Sequence, residues 1–439
     1  MLKNIFYSRI FMAVALLMLT LLLVPRTLAS PSVVTFTVDS VLDQIDDDIS
    51  DGVCHSAANQ CTLRAAIMQA NVIPGPGVTI ILPSGTYTLT RPPAGANGAD
   101  NGDLNLASPA SGNPVISIVG AGAASTLIDA NKIDRVLSVG LSRRATISGV
   151  TIRNGFRQGA QGGGVSNSGL LTITDCVIEG NQTDTAGGGI YSPGTLNITR
   201  STLRANVAYL GGGLHLRGDT TIRDSSFYGN AAGSGGGIAV SAFNADPHLY
   251  IVNSTISQNY ANTDGGGIDS EGSAFLYNTS VINNDADHDR DQIGGIGGGV
   301  YVNPGSRFVV VNTLIAGNTI LDAPIYDDCH GTLEVYGWNL LGDETGCTYS
   351  GNGTASRGFI ALNTIGPLQD NGGPTWTQAL LPGSAAIDTT LDVLGCVTET
   401  GALLTTDQRG APRPAGTRCD VGAFEFRPLR YLYLPLVLR

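Results

Sequence analysis

Lysine is almost missing from this chain: of 439 residues only Lys3 and Lys132 carry it. Charge of either kind is scarce at 14%, against about 25% in ordinary soluble domains. With 42% hydrophobic residues, that scarcity excludes a disordered chain, which needs much charge and little apolar surface. Net charge is −12 and no basic cluster stands out, so a nucleic-acid partner is excluded. Aromatics make up 6%. Beyond Ile10–Val24 no apolar run approaches the ~20 residues of a membrane-spanning helix. The cysteines lack zinc-finger spacing and the five histidines (His55, His215, His248, His288, His330) are scattered. No Ser/His/Asp or Cys/His arrangement is recognisable. Glycine, in contrast, is plentiful at 59 residues. Each glycine inside a helix costs about 1 kcal/mol, which leaves an all-β chain rich in tight turns.

Residues 1–29 read as a signal peptide: Lys3 and Arg9 form the basic start, Ile10–Val24 the apolar stretch, and Thr27-Leu28-Ala29 a small-residue cleavage site. Cleavage removes Lys3, Arg9 and Arg26 and no acid, taking the net charge from −12 to −15. An acidic polysaccharide would be repelled unless calcium or local arginines intervened. Six of the seven cysteines fall into neighbouring pairs along the chain, Cys54 with Cys61, Cys329 with Cys347 and Cys396 with Cys419, and local bridging is the expectation, with the connectivity left open. Disulfides at these pairs fit an oxidising compartment. The expectation is a secreted or extracellular protein, with cell-surface attachment as an option.

Internal repetition decides the fold. A Gly-Gly-Gly-apolar element begins at Gly162, Gly187, Gly211, Gly235, Gly265 and Gly297, at intervals of 25, 24, 24, 30 and 32 residues. A second element, Ile-x-Asp-Cys-x-Ile-x-x-Asn at Ile173–Asn181, returns in phase at Ile198–Asn206, Ile222–Asn230, Ile251–Asn259, Leu276–Asn284 and Val310–Asn318. A degenerate copy runs from Ile147 to Asn154. One such unit cannot bury its apolar face alone. Stacked as parallel coils about 4.8 Å apart, the units place like residues over one another. The columns headed by Ile173 and Ile178 then become apolar ladders, and Cys176 heads a column of small residues. Asn181, Asn206, Asn230, Asn259, Asn284 and Asn318 become an asparagine ladder at a turn. The glycine triplets supply positive φ at a corner. The predicted fold is a right-handed parallel β-helix, a pectin lyase-like solenoid, its hand set by the crossover rule.

These motifs resemble known families. The repeat resembles the polymorphic outer membrane protein repeat, and Phe227-Tyr228-Gly229-Asn230 matches its FxxN element outright. Cys61-Thr62-Leu63-Arg64-Ala65-Ala66 resembles the CSLREA motif of secreted β-helix proteins, with Ala65 replacing its Glu. The C-terminal stretch resembles the choice-of-anchor Q module through Asp370–Thr375, Leu381–Ser384, Ala386–Asp388, Asp407–Gly410 and Asp420–Glu425. The resemblance implies location and fold rather than a reaction. The expected organisation is a signal peptide (1–29), an N-terminal cap (30–72), the β-helix (73–348), a turn-rich C-terminal module (349–426) closing the far end, and a tail (427–439) that is either a sorting or attachment segment or a last strand docked on the domain. The cap contains a short helix with the stripe Leu63, Ala66, Ile67 and Ala70, which makes Arg64 structural.

Three acidic groups are candidate sites. Asp264 and Asp269 flank a glycine triplet and could form a catalytic carboxylate pair, or be plain turn acids. Asp285, Asp287, Asp289 and Asp291 alternate as Ca²⁺ ligands would, or form a solvated insertion in the 32-residue interval. Arg290 and Ile296 stand where an EF-hand needs Gly and Glu. The acidic run Asp43–Asp51 is a third candidate for calcium. The leading expectation is a surface β-helix that binds polysaccharide or cell-surface components without catalysis. The rival is a polysaccharide lyase or glycoside hydrolase.

Overall fold

The computed structural model describes residues 33–428 except 95–97, 110–113, 243–245, 290–294, 321–324, 351–355, 359 and 391–395. The signal-peptide stretch, Asp291 and nearly all of the C-terminal tail therefore lie outside the described residues.

A full coil contributes four short strands, seen in one turn as Val165–Asn167, Leu170–Thr174, Val177–Glu179 and Gln182–Thr183. Successive coils pair them in parallel into four ladders, here numbered 1 to 4 in that order. Ladders 1 and 2 merge in one 20-stranded sheet because Cys329–Tyr336 pairs in both. Ladder 3 is an 11-stranded sheet and ladder 4 an 8-stranded one. This is the parallel β-helix the repeat predicts, and parallel crossovers of this kind are right-handed.

The register is the one the sequence frame dictates. In ladder 2, Ile147, Ile173, Ile198, Ile222, Ile251, Leu276 and Val310 sit over one another. In ladder 3, Ile178, Leu203, Phe227, Ile256, Val281 and Ile315 do the same. All are essentially inaccessible to solvent. The first glycine of each triplet has φ between +61° and +76°, a region open to Gly at little cost. Close approach fixes the next one: a Cβ at Gly188 would lie 2.5 Å from Gly212 O.

The asparagine ladder is continuous. Each Nδ2 donates to the next Asn Oδ1, from Asn181 to Asn206 at 3.0 Å through Asn284 to Asn318 at 2.8 Å. Each Nδ2 also donates to a carbonyl of the preceding coil, such as Asn230 to Leu203 O at 3.0 Å. The last rung is an aspartate: Asn318 donates to Asp328 Oδ1 at 2.7 Å. A second ladder of hydroxyls runs beside it, with the N–H of Cys176, Ser201 and Ser225 each donating to the Oγ one coil on. Cys176 itself is a buried free thiol, pushed up to about 11 by burial.

Helix α1 (Leu63–Val72) lies in the connection between strands Val34–Thr37 and Gly77–Leu82, which pair in parallel. Thr62 caps it by accepting from Ala65 N at 3.1 Å, and the predicted stripe is buried. Arg64 is fully buried, paired with Asp43 at 2.5 Å and donating to Ala99 O and Gly102 O. Cys54–Cys61, Cys329–Cys347 and Cys396–Cys419 are joined, with Cα separations of 5.1, 5.5 and 6.0 Å.

The C-terminal segment differs from expectation in where it packs. Strands Cys347–Ser350 and Ser356–Gly358 still continue ladders 2 and 3. The residues after them lie along the flank of the solenoid, where ladder 2 turns into ladder 3. That turn is a column of left-handed residues, Asp175, Arg200, Asp224, Asn253, Asn278 and Asn312. Thr375 bonds Asp224 O, Arg413 bonds Asn253, Val397 O accepts from Asn278, and Gly422 bonds Asn312 O. Val421 and Phe424 pack with Ile282, Leu314 and Leu340, the outward residues of ladder 3.

Candidate functional site

The Asp264/Asp269 group sits on the outer face of ladder 1. Asp269 points outward between the buried Ile268 and Ser270. Register places it in a column with Tyr191, His215, Ala239, Tyr301 and His330. Its Oδ1 accepts from Asn303 Nδ2 at 2.8 Å and its Oδ2 from Ser234 Oγ. Burial pushes its carboxyl up to about 6, and the charges of Glu271 and Asp264 add to the shift. Asp264 accepts from Ile296 N at 3.2 Å. The structure thus gathers Asp264 and Asp269 into one field and adds Glu271 and Tyr301, whose phenol is pushed up by burial and then by both aspartates. A carboxyl titrating near 6 can deliver or take a proton at neutral pH. His215, two coils away, is buried, held down at about 4 by that burial, and 2.9 Å from Ser241 Oγ. The outward column carries no repeat and was invisible to the frame.

The 285–291 aspartates divide. Asp285 and Asp287 are buried and Asp289 is exposed. Asp285 accepts from Thr319 Oγ1 at 2.9 Å and faces His288 Nδ1 at 3.1 Å. Its two oxygens are therefore already engaged, one with each neighbour.

The outer face of ladder 2 carries the most distinctive surface. Its outward column reads Thr146, Thr172, Asn197 and Thr221, then changes to Tyr250, Phe275, Val309 and Glu334. Two residues on, Tyr277 and Val311 lead to Tyr336. Tyr250 and Phe275 stack at 4.9 Å and 14°, and His248 stacks on Tyr250 at 6.3 Å and 12°. Arg307 lies 5.2 Å from the Phe275 ring centre and holds Glu334 through two bonds of 2.7 and 3.1 Å. Those bonds, with one from the Tyr336 hydroxyl, hold Glu334 below its usual range. Arg223 at the edge pairs with Glu399 of the C-terminal segment. Phe275, Val309 and Val311 are buried, packed against the partly buried Tyr250, Tyr277 and Tyr336, which stand beside the fixed charges. The sequence held a signal for this: apolar residues at Tyr250, Phe275 and Val309 break the alternation that keeps Thr or Asn there in earlier coils.

Residues 175–193 match the Chlamydia polymorphic membrane protein (Chlamydia_PMP) repeat. No curated protein matches the sequence. Among solved structures, a pectate lyase, Pel9A, superposes with a TM-score of 0.45 at 13% identity, covering 91% of this chain and 98% of that one. By sequence the chain is therefore similar to a polymorphic membrane protein repeat over a single turn, and the parallel β-helix itself rests on the strand pairings.

Proposed function

We propose that this protein works outside the cell or at its surface, binding glycan chains along the outer face of ladder 2 without cleaving them. Location is supported by three disulfides, which persist in oxidising compartments, and by the similarity to a repeat named for a membrane protein. Among the described residues no helix is long and apolar enough to cross a membrane. The observation that carries the binding reading is the patch of His248, Tyr250, Tyr277, Arg307, Glu334 and Tyr336. It combines apolar ring edges with donors and acceptors held in place by their own ion pair, which suits a ligand with both C–H faces and hydroxyls. The Thr and Asn column extends the same face toward the N-terminus, giving a track for a chain rather than a pocket for a monomer.

A second reading rests on Asp269, whose raised carboxyl beside Asp264 and Glu271 could serve as the acid of a glycoside hydrolase. Retention on immobilised polysaccharides, with and without calcium, and assay of released ends separate the two. The binding reading expects retention that falls at least about tenfold in Tyr250→Ala/Tyr277→Ala, a loss of ~1.4 kcal/mol, with no new ends. Release of reducing or unsaturated ends that stops in Asp269→Asn would replace it with the second.

A further inference from the structure

The N-terminal cap gathers two carboxylates and an imidazole at one point. We propose that Asp46, Asp47 and His55 hold one divalent cation of the zinc class. One ligand atom from each lies within 4.8 Å of the others, the spacing of donors around a common ion. The loop is folded back on itself by Asp47 N donating to His55 O at 3.2 Å and by the adjacent Cys54–Cys61 bridge. That fold brings two segments, eight residues apart, to one point.

Three buried polar atoms on the residues of this loop and its flank have no hydrogen-bond partner. Asp46 is 4% exposed; its Oδ1 accepts from Asp48 N at 3.1 Å, while Oδ2 has no hydrogen-bond partner. Ser56 is 2% exposed with an unpartnered Oγ, and Gln44 Oε1 is likewise unmatched. Of the three ligands Asp47 alone lines the adjoining cavity of about 450 Å³, together with Gln44, Ser56 and Arg91. A buried carboxylate oxygen without a donor costs at least as much as a lost hydrogen bond, and a cation removes that cost at once. Arg91 does not supply it: its Nε donates to Asp100 O at 2.7 Å.

The histidine is set up as a ligand. Carboxylates engage both ring nitrogens of His55: Nε2 lies 3.0 Å from Asp51 Oδ2 and Nδ1 is hydrogen-bonded to Asp47, a bond that an ion held between the two would replace. A carboxylate on one ring nitrogen fixes the proton there and turns the other lone pair toward a metal, the usual support behind a ligating histidine. The other aspartates of the run are spent: Asp43 on Arg64 and the backbone of Thr90 and Arg91, Asp48 on Ser50. Calcium takes six to eight oxygens, more than remain. Two carboxylates and one imidazole suit a four-coordinate zinc-class ion, leaving the fourth position to Gln44 Oε1 or water.

The test is calorimetric titration of chelator-treated, disulfide-intact protein with ZnCl₂, paired with thermal melts. One ion per chain is expected with a Kd below about 10 μM, together with a rise in Tm that grows with free zinc. His55→Ala and Asp46→Asn should each weaken binding at least about tenfold. Asp48→Asn, outside the ligand set, should leave it unchanged. Far-UV circular dichroism confirms that each variant folds, and zinc-edge anomalous scattering at the cap provides a second readout. Absence of binding at millimolar zinc, an unchanged affinity in folded His55→Ala, or tighter binding of calcium than of zinc would each overturn the assignment.

Discussion

Replacing Asn230 by alanine tests the asparagine ladder at its centre. The Asn230 amide makes four bonds: it donates to Leu203 O at 3.0 Å and Asn259 Oδ1 at 2.9 Å, and accepts from Asn206 N at 3.1 Å and Asn206 Nδ2 at 3.0 Å. Two of the partners keep a second bond, Asn206 Nδ2 to Ile178 O and Asn259 Oδ1 from the Asn230 N–H. Leu203 O and Asn206 N lose the bond they made to this side chain. At ~1–3 kcal/mol for each buried group left short, the expected loss is about 2–6 kcal/mol. Asn230→Asp keeps the shape and the accepting oxygen but turns two donated bonds into repulsive contacts, so it should cost at least as much. The first rung, Asn181, accepts from Gly155 N in place of a preceding asparagine amide, and Asn181→Ala should cost less than Asn230→Ala. Urea unfolding followed by far-UV circular dichroism reads all three. A cost below about 1 kcal/mol for Asn230→Ala, or wild-type stability for Asn230→Asp, would refute the view that the ladder is a cooperative hydrogen-bonded element.

Other outcomes follow from the same geometry. Burial raises Asp328 from 3.8 to about 7 against three N–H donors, and Asp420, also buried, to about 7. The folded state then holds protons that the unfolded chain has released, so stability should fall as pH climbs from about 4 to about 7 and level off above. Melting curves at pH 5 and pH 8 check this, and a higher Tm at pH 8 would contradict it. Arg413 and Glu425 form a pair with both side chains at 0% exposure. Arg413→Leu strands the carboxylate and should cost about 3–5 kcal/mol, seen as faster proteolysis of the C-terminal segment; an unchanged cleavage rate would show that the pair does not hold it down. Ile198→Ala removes the middle of the ladder 2 stack and should cost about 2–5 kcal/mol in urea.

What the sequence showed was whatever repeats. Ile173, Ile178 and Asn181 recur because every coil must present the same inward side chains to its neighbours, so the apolar columns, the asparagine ladder and the positive-φ glycines were all readable. Outward positions carry no such constraint. Asp269 was singled out only because it flanks a glycine triplet, and its companions Tyr301 and Glu271 were not. Asp328 was missed because the chain doubles back in the antiparallel pair Thr319–Ile320 and Ile325–Tyr326, bringing it under Asn318 only ten residues on. The flank packing was hidden for the opposite reason: Gln408 meets Thr255 and Ser225 across 153 and 183 residues, a separation at which no local pattern survives.

A solenoid held only by nearest-neighbour contacts can fray from either end, one turn at a time. The C-terminal segment alters that for half of this molecule. It grips five consecutive turns, from Asp224 through Asn253, Asn278 and Asn312 to Leu340, like a strap riveted across stacked hoops. None of those hoops can lift off without releasing the strap, so the strapped turns should open as one block. The turns from Leu104 to Arg204, outside its reach, remain free to breathe singly. Hydrogen exchange should therefore show graded protection in the first half and a shared value in the second.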